Sequence, residues 1–253
     1  MINLLRSEWR KVTTIKLGWG MLLGALALAA LGVVAQVASN GVRGNPALSL
    51  SEASTQRSIA ASAGSAYLFS VVVGIILITT EFRHFTSRPT FLIEPRRGLV
   101  IVAKVIVAAV VGIIYGIACA ALTAAIMAIW FAAKGIPIGW TSNGVLLSMV
   151  GDLMVIAIFA IVGIGVGVLV RNQIAAVIGA LAYLFVLEPI IQIIPVVKEA
   201  YPYLPGAAAA AITGSTRGAA THLNAVEGGL VLLGWGLFFA VCGWILTIRR
   251  DVP

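Results

Sequence analysis

Charged residues interrupt this chain rarely enough that the gaps between them define its organisation. Uncharged, mostly apolar stretches run over residues 17–42, 58–80, 105–133 and 228–248. Each exceeds the roughly 20 residues needed to cross a ~30 Å hydrocarbon layer as a helix. Two further apolar stretches, 143–170 and 172–194, carry a single carboxylate each, Asp152 and Glu188. The pattern predicts six spans. Backbone crossing hydrocarbon must be helical or form a closed barrel, and these unbroken Leu, Val, Ile and Ala runs lack a barrel's alternation. The expected fold is therefore an all-α integral membrane protein, a single transmembrane domain over 1–253.

Residues 1–16 follow a different rhythm. At the helical period Ile2, Leu5, Trp9 and Val12 share one face, with Arg6, Ser7, Arg10 and Lys11 spread over the other. This predicts a helix lying in the interface, its apolar side in the headgroup boundary and its basic side against anionic lipid. Basic residues before an apolar run also open a signal peptide, but the stretch after Lys16 is much longer than an h-region and reads as a retained anchor.

Composition agrees with the spans. Of 253 residues, 60% are hydrophobic and 10% charged, and the mean hydropathy is +1.06. A soluble domain carries about 25% charged residues. The net charge of +8 would suggest a nucleic-acid ligand in a soluble protein. Here its placement matters more, and no nucleic-acid partner is expected. With six spans, twelve of the 17 Lys and Arg fall on the side of the termini, and five (Arg43, Arg57, Lys134, Lys198, Arg217) on the other. The positive-inside rule then puts both termini of a multi-pass membrane protein in the cytoplasm. Cys119 and Cys242 sit within apolar runs and read as small core residues.

Glycine pairs at helix-packing spacing, Gly20 with Gly24, Gly112 with Gly116 and Gly163 with Gly167, allow close helix approach within the chain or between chains. Residues for several chemistries are missing. There is no G-x-x-x-x-G-K-[ST] phosphate loop, no H-E-x-x-H and no G-x-S-x-G. Nothing supports an enzyme acting by itself, and no cofactor or metal is expected in this chain.

The densest polar stretch is 81–104, EFRHFTSRPTFLIEPRRGLVIVAK. Thr86 or Ser87 can cap a short helix that admits Pro89 in its first turn. Phe91, Leu92 and Ile93 give it an apolar patch before Pro95, and Arg96, Arg97 and Lys104 follow. An amphipathic turn held between two spans is a lever suited to a groove in a soluble partner.

Here the sequence resembles the permeases of ABC-2 type transporters, small actinobacterial ones in particular. The resemblance rests on Glu81, Arg83-His84, Thr86, Leu92, Pro95-Arg96-Arg97 and Ala103-Lys104, and on Val168-Leu169-Val170-Arg171-Asn172 at a tight turn. Tyr203-Leu204-Pro205-Gly206 and the terminal Arg249-Arg250-Asp251 are also similar. Phe85 stands where that family usually has Gly. The resemblance implies an elbow helix at the N-terminus, a coupling helix between spans two and three, and a dimer of permeases with two ATP-binding subunits. Those subunits would hold the ATP and Mg. The coupling residues would be Glu81, Arg83, His84, Thr86, Arg88, Phe91, Leu92, Arg96 and Arg97.

Asp152 and Glu188 are the sharpest single residues, because an ionised carboxylate at membrane depth is costly unless solvated, paired or protonated. They belong either to a translocation path, with Gln192 one turn beyond Glu188, or to interhelical hydrogen bonding, Asp152 with a Ser or Thr and Glu188 beside the irregularity expected at Pro189. Residues 195–227, punctuated by Pro195, Pro202 and Pro205, form an external segment with a small Ala-rich helix at 205–212. It reads equally as a cap over an exit or as a surface hairpin. Tyr201, Tyr203, Trp235 and Trp244 read as anchors or packing.

The leading expectation is the membrane-spanning subunit of an ATP-driven exporter of a drug-like, lipid, peptide or glycan substrate. The alternatives are a proton-coupled secondary transporter using Asp152 or Glu188, and a scaffold or immunity protein without a transport cycle.

Overall fold

The computed structural model describes residues 2–14, 16–39, 50–83, 97–213 and 223–249. Helix α1, Ile2–Thr14, precedes α2, Lys16–Ser39, the first span. The second span is built from three pieces: α3, Ala53–Ala60, a 3₁₀ stretch, Ala61–Ala66, and α4, Tyr67–Arg83. Then come α5, Arg97–Ala133, and α6, Val145–Val170. The fifth span comprises α7, Gln173–Ala182, a π-turn, Tyr183–Leu187, and α8, Glu188–Ile193. After a 3₁₀ turn, Lys198–Tyr203, helix α9, Pro205–Thr213, leads to α10, Ala225–Arg249, the sixth span. Six helices are thus long and apolar enough to cross a membrane, and the described residues contain no strand.

One boundary differs from the sequence expectation, and two spans carry local irregularities. The third span starts at Arg97 instead of 105, and at 1.5 Å per residue its 37 residues extend roughly 55 Å. Lys104, expected to flank the span, therefore lies two turns inside it. The second span tightens to 3₁₀ at Ala-Ser-Ala-Gly-Ser-Ala, where the Ser62 hydroxyl donates to the Ile59 carbonyl and that of Ser65 to the Ser62 carbonyl. Small side chains permit the tighter turn, and hydroxyls bonded back along the helix favour a bend. In the fifth span, Pro189 has no N–H to give and its ring crowds the carbonyl four residues earlier. The chain widens into the π-turn just before it.

Helix α6 is the axis of the bundle, packed against α4, α5, α9 and α10. Glycines set how closely it is approached. A Cβ at Gly163 would lie 3.0 Å from the Cα of Gly74 on α4, and one at Gly116 would lie 2.9 Å from the Cα of Leu153. Gly112 likewise faces Ala157, and Gly167 faces Ile78. These two glycine pairs serve packing inside the chain. Gly24 abuts Phe69, whereas nothing crowds Gly20. Spans one, five and six remain largely exposed, the surface a bilayer would cover.

Polar bonds fix both ends of the bundle. At the end carrying the α5–α6 connection, the buried Gln56 amide donates to the Leu50 and Pro137 carbonyls and accepts from Gly139 N–H and Asn143 Nδ2. At the other end Arg171 adopts φ 55, and Asn172 caps α7 by accepting from Ala175 N–H. Arg171 lies over the Phe82 ring, 5.6 Å from its centroid. The first end is called distal below, the second proximal.

Candidate functional site

At the proximal end, three helices meet through charged side chains. Glu8 of α1 lies on the flank of the Leu5–Trp9–Val12 seam. That seam packs on α2 and α5, next to Ala25, Val107 and Val111. Much of the face expected to sink into lipid therefore rests on protein, although Ile2 stays exposed. Glu8 is 2% exposed. Lys104 Nζ, 1% exposed, donates to Glu8 Oε2 at 2.6 Å and to Glu81 Oε1 at 2.8 Å. Lys11 closes the ring by donating to Glu8 and, at 2.6 Å, to Glu81. Two carboxylates and two ammonium groups leave no net charge, which makes their burial tolerable.

Charge neighbours govern the titration of the α1 members. Burial pushes the Glu8 carboxyl upward, but the Lys104 and Lys11 ammonium groups outweigh it and hold the pKa below the ordinary 4.5. Burial also pushes Lys11 downward, and its bonds to Glu8 and Glu81 overcome this, so the pKa lies above 10.5.

Glu81 and Lys104 bound the polar loop singled out from sequence, and the ring joins them to α1. Arg83 is exposed at the end of α4. His84, Thr86, Arg88, Phe91, Leu92 and Arg96 lie outside the described residues, as does the Arg97 side chain. Sequence reasoning missed Glu8. The available signal was that Glu8 is the only carboxylate before Glu52 and sits beside an apolar seam.

Toward the distal end lies a cavity of about 450 Å³. Span one lines it with Gln36, span two with Ser62, Gly64 and Tyr67, and span five with Leu184, Glu188 and Gln192. Tyr201, Gly206 and Thr213 complete the wall. Glu188 is 4% exposed, and its Oε1 accepts from Ala207 N–H at 2.9 Å, at the start of α9. The carboxylate thus meets the positive end of that helix. Gly206 makes room for it: a Cβ there would lie 2.6 Å from Glu188 Oε2. Glu188 and Gln192 are together, as the spacing implied. The hydrogen-bonding role weighed for Glu188 is present, and the same side chain also faces the cavity.

Asp152 stands behind this wall. It is 1% exposed, and neither carboxylate oxygen has a side-chain hydrogen-bond partner among the described residues; its neighbour is the Gly64 backbone. The Ser or Thr partner considered for it is therefore not found there. Nearby Ser148 donates instead to the Thr213 carbonyl. A Cβ on Gly64 would lie 2.5 Å from Asp152 Oδ1, so only a glycine separates this carboxylate from the cavity.

The aromatics take distinct places. Tyr201 is buried in the cavity wall, and burial pushes its hydroxyl pKa upward, with the Glu188 charge adding to this. Trp235 Nε1 donates to the Tyr203 carbonyl at 2.8 Å, and Trp244 lies against Gly98. Among the described residues no three His, Cys, Asp or Glu side chains gather as a metal site. No protein-family model matches the chain, and a search of curated proteins finds no significant relative.

Proposed function

We propose that the chain is the membrane-spanning subunit of an ATP-driven exporter of the ABC-2 type, set in a bacterial plasma membrane with both termini cytoplasmic. It would act as a dimer with separate ATP-binding subunits. One observation carries the reading: span two runs from the charge ring at Glu81 to the cavity wall at Ser62, Gly64 and Tyr67. A displacement applied to residues 84–96 would enter α4 and α5 at their ring-fastened ends. The ring makes these helices and α1 move together. Tight glycine packing of α4 on α6 then carries motion toward Asp152 and the cavity. The Glu81, Arg83-His84, Thr86 and Pro95-Arg96-Arg97 motifs favour an ATPase as the source of that displacement. Loop residues Phe91 and Leu92 would supply the apolar contact.

The test is co-purification from the native membrane. A stoichiometric ATP-binding subunit is expected, and it should be lost, or its hydrolysis uncoupled from transport, in Phe91→Asp/Leu92→Asp. Normal coupled transport by that double variant would remove the loop from the mechanism.

Asp152, buried with no side-chain partner among the described residues, favours a second reading, a proton-coupled transporter, since a buried carboxyl group can relay protons. Substrate movement that follows a proton gradient with no ATPase present would select it.

A further inference from the structure

Two cavities of opposite character lie side by side along the fifth span. The polar one, about 450 Å³, has been described. The other, about 220 Å³, is walled by Phe159, Val162, Tyr183, Trp235 and Phe239. Leu184, within the π-turn, lines both. Tyr67 of the polar cavity also packs on Phe159 of the apolar one, with ring centroids 4.4 Å apart. The partition is therefore one leucine and one aromatic pair.

Hydrogen-bond accounting fixes what the polar side can accept. Ser58, Ser62 and Ser65 donate their hydroxyl protons to Gln36 Oε1, the Ile59 carbonyl and the Ser62 carbonyl, which leaves their oxygens as acceptors. Glu188 adds a carboxylate held only by backbone N–H among the described residues. Asp152, 1% exposed and with no side-chain partner among the described residues, adds a second carboxyl group one glycine behind the wall. No Lys or Arg side chain lines either cavity among the described residues. Acceptor oxygens and two carboxyl groups with no Lys or Arg beside them disfavour an anion and suit a group with several N–H donors.

We propose that the paired cavities bind an amphipathic amine, its protonated nitrogen among Glu188, Gln192 and the Ser62–Ser65 oxygens, its apolar body beyond Leu184 against Phe159 and Trp235. The nitrogen supplies the positive charge that no Lys or Arg provides beside these carboxyl groups, and the body fills space that water occupies poorly. As the substrate class of a transporter the inference rests on the function proposed above, but binding itself requires no ATPase.

Dansylcadaverine, a primary ammonium joined by an alkyl chain to an aromatic reporter, is the probe. It is titrated into nanodiscs of phosphatidylcholine and phosphatidylglycerol holding the full chain, with empty discs subtracted. Saturable binding with enhanced, blue-shifted emission is expected, and dansyl-6-aminohexanoate, the anionic analogue, should not compete. Glu188→Gln keeps an acceptor for Ala207 N–H and should weaken binding at least tenfold. Asp152→Asn should weaken it less, because the glycine intervenes. Leu184→Trp, which fills the partition, should abolish the emission shift while the melting temperature stays within a few degrees. Displacement by added phosphatidylethanolamine would identify the amine as a lipid headgroup; indifference to it would identify a free amine. Wild-type affinity in both Glu188→Gln and Asp152→Asn, or equal binding of the anionic analogue, overturns the proposal. Amine binding by a chain that recruits no ATPase would sustain the site while ending the ATP-driven reading.

Discussion

Lys104 Nζ lies 2.6 Å from Glu8 Oε2, across 96 positions of sequence, and both side chains are buried. The pair is the longest-range element of the ring that fixes α1 to the bundle. Removing one member of a buried ion pair leaves the others uncompensated, at a cost of about 3–5 kcal/mol. Lys104→Met should therefore destabilise the protein strongly in chemical or thermal unfolding in nanodiscs. Adding Glu8→Gln to Lys104→Met should recover part of the loss, since the second change removes a stranded charge. Additive losses in that pair of variants would mean the ring members act independently.

The ring also sets a pH window. Glu8 titrates below 4.5 when folded, so its contribution is present above the unfolded value and is lost as pH falls through the lower folded one. Lys11 titrates above 10.5, so its contribution is present below 10.5 and is lost as pH rises through the folded value. Melting temperature should stay flat from roughly pH 5 to 10 and fall on both sides. In Glu8→Gln the acid limb should shrink. A melting step near pH 7 would contradict this assignment.

Glycines separate by what surrounds them. Gly163→Ala puts a methyl against the Gly74 backbone, where neither helix can yield, and should cost about 1–3 kcal/mol. Gly20→Ala and Gly234→Ala meet nothing within 4 Å and should leave unfolding unchanged or slightly improved. Equal effects at all three positions in a thermal-shift series would refute the packing account.

Much of this fold was legible because hydrocarbon enforces it: six apolar runs became six spans, with ends displaced by a few residues. What periodicity could not carry was distance between segments. Glu81 and Lys104 were visible as the edges of a polar loop, but their partner Glu8 lay on a helix read as lipid-bound. Glu188 and Gln192 share one helix face, so their spacing sufficed. The π-turn was foreshadowed by Pro189 but displaced to the preceding turn, where the ring crowds the backbone. Asp152 against Gly64 depends on how two helices cross, and no local pattern encodes that.

The orientation drawn from basic residues has a direct check. Cysteines introduced at Ser51 and Ser215 should react with an impermeant thiol reagent applied to intact cells, and one at Ser87 should not. Labelling of Ser87→Cys from outside would invert the topology and place the amine cavity toward the cytoplasm.

The ring has a further meaning during biosynthesis. Glu8, Lys11 and Glu81 emerge before Lys104, and both carboxylates bond to it, so the ring cannot close until the third span has been made. The third span must therefore be in place before the charged side of α1 is fully paired. A chain truncated after span two would lack the Lys104 partner of both carboxylates and join the charged side of α1 to α4 through Lys11 alone. The same four side chains that couple three helices in the mature protein thus come together only when three separate segments of the chain are in place.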